Sequence, residues 1–394
     1  MKNSILITTP KGLAPFLADE IKALGYPVLW TGLTAVETEG CFNDTYTLNL
    51  YLRTAHHVLY LIKVFKCQSP EDLYNNVNVV PWETMISPDE HLSVVSHVEH
   101  PTIRDSRFAN VKCKDAIVDR IARKKGNRPD SGPEKTCAVI NLFWKGDTGR
   151  VYIDTSGESL CKRGYRKNPM GAPMQETLAA AVIQASGWTG NEHFINPMCG
   201  SGTLAIEAAL VGINKAPGLL RNNYGFMHTM LFNNEIWSDI RKKAIAKIRR
   251  PIPCDIIATD ISSDAMDAAE QNAENAGVKD CIKFTTCDYD TTEIPDSKGV
   301  VMINPEYGIR MGNETDLESV YRGIGTFFKH KCQGYRGYVF TGNTLLIGKV
   351  GLKAKRRIPF YSGQIECKLY EYELFRGKRN ERVPDGKADN TSGE

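Results

Sequence analysis

Three short segments carry the residue types that chemistry needs. The first is Asn196-Pro197-Met198-Cys199-Gly200-Ser201-Gly202-Thr203, set between a stretch that reads as a strand and an apolar helix. Glycines in such a turn let the backbone approach a ligand, and free N–H groups at the helix start favour an anionic group. Gly200, Gly202 and Ala205 satisfy G-x-G-x-x-[GA], so a dinucleotide site has to be weighed. That fingerprint expects an acid about 20 residues on. Here Asp260, followed by Ile261, comes 60 residues after Gly200, because Gly212–Pro253 intervenes. An acid ending the next strand suits ribose hydroxyls; a tight turn without a ligand is the plain alternative. The second segment is Thr286-Cys287-Asp288-Tyr289, just past the following strand. At the C-terminal edge of a parallel sheet, Asp288 can accept an adenine amino group or remain a solvated loop carboxylate. The third is Val300-Val301-Met302-Ile303-Asn304-Pro305-Glu306-Tyr307-Gly308, an apolar strand running straight into Asn, a rigid Pro and an aromatic ring.

Asn304, Pro305 and Tyr307 resemble the Asn-Pro-Pro-Tyr motif of class I, S-adenosylmethionine-dependent methyltransferases acting on exocyclic base amines. The resemblance implies that the Asn304 side-chain oxygen and the Pro305 carbonyl each accept one amine N–H, while Tyr307 stacks on the base. An aromatic amine is a weak nucleophile because its lone pair is delocalised into the ring. Two aimed acceptors pull the nitrogen toward pyramidal geometry and point its lone pair at the methyl group. The cofactor-binding residues implied are Asn196, Pro197, Cys199, Gly200, Gly202, Thr203, Asp260, Ile261 and Asp288, with Gly200, Gly202 and Asp260 holding the methionine and ribose and Asp288 the adenine. Glu306 departs from the pattern, replacing the second proline with a carboxylate that can accept from a base or repel a phosphate. The thiol of Cys199 is expected to pack, because no His is spaced to activate it.

Two further stretches, Asp154–Arg166 and Ala172–Ala181, resemble the start of the catalytic domain in the bacterial 23S ribosomal RNA guanine-N2 methyltransferases that carry an N-terminal THUMP domain. Many of these are labelled adenine-N6-specific DNA methylases because of the shared motif. The resemblance puts Glu176 or Thr177 near the methionine end of the cofactor, unless they belong simply to a helix start. It implies RNA, of the large ribosomal subunit or a pre-ribosomal particle, as partner. An adenine-N6 DNA methylase, a non-catalytic RNA-binding assembly protein and a nicotinamide-dependent oxidoreductase stand as rivals.

The elements that must position these residues follow from periodicity. After about Ser156, strands and helices alternate, from a strand at Glu192–Asn196 and a helix at Thr203–Val211 to two strands that pair around Gly363. That alternation predicts an α/β fold with a Rossmann-like, doubly wound, mostly parallel sheet over residues 156–376. Two small α+β layers precede it, the first, over 1–50, ending in a strand at Tyr46–Leu52 and the second, over 51–155, containing a basic helix at Cys113–Lys125; the resemblance implies that they are a ferredoxin-like unit and a THUMP domain. Residues 377–394 are polar and free of aromatics, and read as a disordered tail.

The 394 residues, 42% hydrophobic and 24% charged, exclude a disordered or fibrous chain. Eleven cysteines without a C-x-x-C read as reduced thiols of a cytoplasmic protein, and no spacing suggests a metal. No 18-residue apolar run is present, so no membrane partner is expected. The net charge of +3 says little, but the cations cluster. Pro101–Arg128 holds nine Lys or Arg against three Asp, and Arg221–Arg250 seven against two acids. Lys162, Arg163, Arg166 and Lys167 form a third group, and Lys353, Lys355, Arg356 and Arg357 a fourth. Interleaved with Phe108, Tyr165, Tyr224, Phe226 and Trp237, they suggest a surface for phosphates and splayed bases. The insertion Gly212–Pro253 is expected on the ligand side of the sheet, helping to hold RNA. His56 and His57 read as ordinary domain residues.

Overall fold

The computed structural model describes residues 2–101, 103, 105–167, 173–306 and 314–376. Its first half runs β1 (Asn3–Thr8), α1 (Ala14–Ala23), β2 (Trp30–Thr31), β3 (Ala35–Gly40), α2 (Asp44–Tyr51), β4 (His57–Lys66), α3 (Pro70–Asn78), β5 (Leu92–Glu99), α4 (Ser106–Lys125), β6 (Ala138–Lys145) and β7 (Thr148–Asp154). These strands make one seven-stranded sheet, β2-β3-β1-β4-β7-β6-β5, in which β4 pairs with both β1 and β7. The stretches expected as two layers thus share a continuous sheet, joined through β4.

Tyr46–Leu52, expected as a strand, is the helix α2. Thr45, Tyr46, Leu48, Asn49 and Leu50 are all buried there, so the segment has no polar face to reveal a helical period. Its outer face is covered by the insertion. Tyr46 lies 4.5 Å from Phe226 between ring centroids, Phe226 stacks on Tyr224 at 5.1 Å, and Trp237 closes the group edge-on. Tyr165, Tyr224, Phe226 and Trp237 are therefore core residues, not the stacking platform expected from the sequence; of that set only Phe108 is exposed.

The second half runs α5 (Glu176–Ser186), β8 (His193–Pro197), α6 (Thr203–Gly212), α7 (Asn234–Ala246), β9 (Ile256–Asp260), α8 (Ser263–Ala276), β10 (Lys283–Thr286), β11 (Gly299–Ile303), α9 (Glu314–His330), β12 (Arg336–Thr341), β13 (Arg356–Ser362) and β14 (Ile365–Glu373). The sheet order is β10-β9-β8-β11-β12-β14-β13, with the first five strands parallel and β14 antiparallel to both neighbours. Alternation fixes its two faces. Phe194, Val300 and Met302 join α5, α6 and α8 in one core, while Ile195, Val301 and Ile303 join α9 in another. Chain order reverses between β8 and β11, and a crevice opens outside the carboxyl ends of the strands at such a switch point. The insertion leaves the far end of α6 and returns at the start of β9, so it lies at the opposite sheet edge. That corrects the expectation of a ligand-side insertion.

The two halves meet through Phe16, stacked on Phe360 at 5.5 Å, and Lys11 over the Tyr361 ring. They also meet at His56, whose carbonyl accepts the Leu160 N–H at 2.8 Å. Burial, then the neighbouring His57 and Arg163, push the His56 imidazole down to about 4 from an ordinary 6.5. Below pH 6.5 the unfolded chain therefore binds a proton that the folded chain refuses. We expect unfolding free energy to fall as pH drops from 6.5 toward 4, by up to about 3 kcal/mol, with no contribution above 6.5. Urea midpoints across that range should flatten in His56→Gln; an unchanged slope would remove His56 as the cause.

Candidate active site

The glycine loop is shaped by left-handed backbone. Met198, Gly200 and Gly202 have φ of 54°, 52° and 78°. A Cβ on Gly202 would come 2.9 Å from that of Ala269, so this glycine serves the close packing of α6 on α8. A Cβ on Gly200 would meet nothing within 4 Å, because that side of the loop is open space for a ligand. The Cys199 N–H donates to the Thr259 carbonyl at 3.0 Å. The Asp260 carboxylate accepts from the N–H of Gly200 at 2.9 Å and from that of Ser262 at 3.1 Å. Each of its oxygens keeps a further lone pair for a ligand hydroxyl. Burial, then Asp260, push the Cys199 thiol up, and its Sγ lies 3.7 Å from Met266 Sδ; it packs rather than acting as a nucleophile.

A cleft of about 700 Å³ runs over this loop, in the size range of small-molecule sites. Its wall includes Cys199, Gly200, Thr203, Asp260, Ile261, Asp288 and Asn304 from the residues singled out in the sequence. Ile261, 73% exposed, is part of the cleft lining, an apolar side chain on a wall that also carries the Asp260 and Asp288 carboxylates. Met198, Leu204, Leu317 and Val320 supply apolar wall; Met198 belongs to the glycine segment, while in the sequence the other three were ordinary apolar positions with no mark of a site. Asn196, Pro197, Gly202, Glu176 and Thr177 stand behind that wall. Asn196 is fully buried and donates from Nδ2 to the Met302 carbonyl at 2.9 Å, clamping β8 to β11 at the switch point.

Asn304 follows β11 directly and lines the cleft with Glu306, while Pro305 is buried between them. The Asn304 Oδ1 is shielded from solvent and, among the described residues, accepts no hydrogen bond. A buried acceptor left unpaired costs about 1–3 kcal/mol, which makes it a fit for a donor arriving with a ligand. Tyr307 lies outside the described residues. The arrangement can seat an anionic or zwitterionic head at the glycine loop, a diol on Asp260, an amine-bearing ring between Ile261 and Asp288, and an N–H donor on Asn304.

Beneath the loop lies a buried ionic cluster. Arg163 and Glu207 are 1% and 0% exposed, with Nε 3.4 Å from Oε1, and Tyr165 donates to the same oxygen at 3.2 Å. Arg163 also donates to the carbonyls of Leu160, at 2.7 Å, and Arg53. Arg166 pairs with Glu176 at 3.6 Å and donates to Thr203 Oγ1 at 2.9 Å and the Met174 carbonyl at 2.8 Å, both of them wall residues. Arg221 is buried and donates to the carbonyls of Ser159 and Glu158. Arg163 and Arg221, counted from the sequence as phosphate-binding cations, are thus internal; Arg123, Lys124 and Lys125 at the end of α4 remain exposed.

Comparison with known proteins adds three matches along the chain. Residues 4–59 match the RlmL ferredoxin-like domain, 67–154 the THUMP domain, and 163–371 the RMKL-like methyltransferase domain. A ribosomal RNA large subunit methyltransferase K/L from Syntrophotalea carbinolica is 35% identical over 93% of this chain and 53% of its own length. The chain spans about half the length of the curated relatives it matches. Among solved structures, the methyltransferase SMU.472 in complex with SAH is 26% identical with a TM-score of 0.86, over 96% of this chain and 99% of that one. A predicted N6-adenine-specific DNA methylase from Listeria monocytogenes is 30% identical with a TM-score of 0.85, over 95% and 97%. Among the described residues, no helix is long and apolar enough to cross a membrane.

Proposed function

Since the chain belongs to the RMKL-like methyltransferase domain family, we propose that it methylates an exocyclic base amine in RNA, with guanine N2 of large-subunit ribosomal RNA as the target. S-adenosylmethionine supplies the methyl group. The observation that carries this reading is the Asn304 Oδ1, unpaired among the described residues, on the wall of the cleft that the glycine loop also lines. In this reading Gly200, Thr203 and Ser201 border the methionine end, Asp260 takes the ribose and Asp288 with Ile261 the adenine. Asn196, Pro197, Cys199 and Gly202 hold the loop in shape, and Glu176 with Thr177 support the wall from behind. Asn304 Oδ1 and the Pro305 carbonyl each accept one N–H of the target amine, and Tyr307 stacks on the base. No group acts as a strong base before attack, because the amine becomes acidic only as it gains the methyl.

Glu306 supports guanine over adenine. Beside its amine, guanine presents N1–H and adenine a lone pair. A carboxylate on the cleft wall accepts from the first and repels the second. Charge-assisted hydrogen bonds are worth about 1.5–3 kcal/mol, so Glu306→Gln should lower kcat/KM on a guanine substrate by about 10- to 100-fold and narrow its preference over adenine. If Glu306→Pro leaves both activity and base preference unchanged, the residue is a tolerated loop variant.

The deciding experiment offers labelled S-adenosylmethionine with total RNA and genomic DNA from a strain lacking the gene, followed by nucleoside analysis. Label in N2-methylguanosine of large-subunit RNA is expected. Label in N6-methyladenine alone would replace the substrate, and absence of cofactor binding would leave an RNA-binding protein on a methyltransferase fold.

A further inference from the structure

We propose that Glu90, Cys137 and His228, none of which lines the cleft, form a site for one divalent ion of the zinc class, stapling the THUMP domain to the methyltransferase domain. Their ligand atoms all lie within 4.8 Å of one another. They come from three separate stretches: the loop before β5, the residue before β6, and the insertion between α6 and β9. The sequence gives no metal-binding spacing because the three are brought together only by the docking of the insertion on the first sheet.

Hydrogen bonding makes the site more than a cluster. Asn223 Nδ2 donates to the Thr136 carbonyl at 2.6 Å, so the amide oxygen must be the atom facing His228. That oxygen lies 2.7 Å from His228 Nε2 and can only accept, which places the ring proton on Nε2. In the neutral ring Nδ1 then carries a bare lone pair, and it faces Glu90 Oε1 at 3.3 Å. A lone pair against a carboxylate is repulsive unless a cation lies between them. An imidazole oriented through its other nitrogen by an amide or carbonyl oxygen is the usual state of a metal-bound histidine. The 3.3 Å separation also fits the edge of a tetrahedron with bonds of about 2.0–2.1 Å, roughly 3.3–3.4 Å.

The third donor selects the cation. A proton would need only Glu90, whereas the Cys137 thiol adds a soft ligand that magnesium and calcium do not favour and zinc does. On binding, the Cys137 S–H bond breaks, the sulfur bonds the ion and the proton leaves to solvent. Three protein donors leave a fourth position for water. His228 and Glu90 are each 25% exposed, so the ion can enter from solvent.

The test uses the full, tag-free chain, stripped with chelator and titrated with Co²⁺. One equivalent should produce the absorption of tetrahedral cobalt with a thiolate charge-transfer band, displaced by Zn²⁺. Zinc should raise the melting temperature, and chelator should reverse the rise. Cys137→Ser should abolish the charge-transfer band and His228→Gln should weaken binding at least about tenfold, while Cys161→Ser leaves both unchanged. A band that survives Cys137→Ser, an octahedral spectrum, or no cobalt uptake with His228 titrating as an imidazolium paired to Glu90 would each overturn the proposal. None of these outcomes depends on methyl transfer.

Discussion

Asn304→Ala should lower methyl transfer by about 10²–10³-fold, the usual cost of removing one aimed polar group at a reacting centre, while leaving cofactor affinity within a few-fold. The two readouts separate because Asn304 stands at the end of β11, whereas the glycine loop and Asp260 are held by their own mutual hydrogen bonds. Stability provides a third. The Oδ1 of Asn304 is buried with no partner among the described residues, so the native protein carries an uncompensated acceptor. Alanine removes that burden, and Asn304→Ala should unfold at the same temperature as the parent or slightly higher. Asn304→Asp keeps an acceptor oxygen at the same place and should retain more activity than alanine. Normal turnover in Asn304→Ala would end the amine-orienting role. Loss of activity together with loss of stability would make the residue structural.

The legibility of this site in the sequence had a physical basis. Asn196–Thr203, Asp260, Asp288 and Asn304 all sit where a parallel strand ends, and an apolar run followed by a turn-forming or acidic residue marks such ends without any alignment. Residues one step behind the wall could not be separated from those on it. Glu176 and Thr203 differ by one hydrogen bond through Arg166, which periodicity does not encode. The misreading of the cationic clusters has the same origin. Arg163 and Arg221 count as charge in any sequence window, yet one meets a buried carboxylate and the other a set of backbone carbonyls. The aromatic residues of the insertion were misassigned because their partner, Tyr46, is about 180 positions away and lies on a segment that reads as a strand.

Glu207→Leu should destabilise the protein by about 3–5 kcal/mol, the expected penalty for leaving one member of a fully buried ion pair alone. Arg163 would keep its bonds to the Leu160 and Arg53 carbonyls but lose the only carboxylate that touches it among the described ion pairs. Tyr165, whose phenol is pushed well up by burial and by Glu207 and so stays protonated, would lose its acceptor. Arg163→Met should cost as much, since Glu207 already has one oxygen without a partner. The double variant Arg163→Met with Glu207→Leu should recover part of the loss, because an apolar pair of similar volume avoids the uncompensated charge. It should not recover all of it, because the Leu160 and Arg53 carbonyls would be stranded. A double-mutant cycle on urea unfolding measures that coupling. The same pair joins the first half of the chain to α6, whose start forms the cleft floor, so cofactor affinity should fall in Glu207→Leu more than in Asn304→Ala. Single variants costing less than about 1 kcal/mol, the scale of an exposed ion pair, would show that the buried pair does not hold α6 in place.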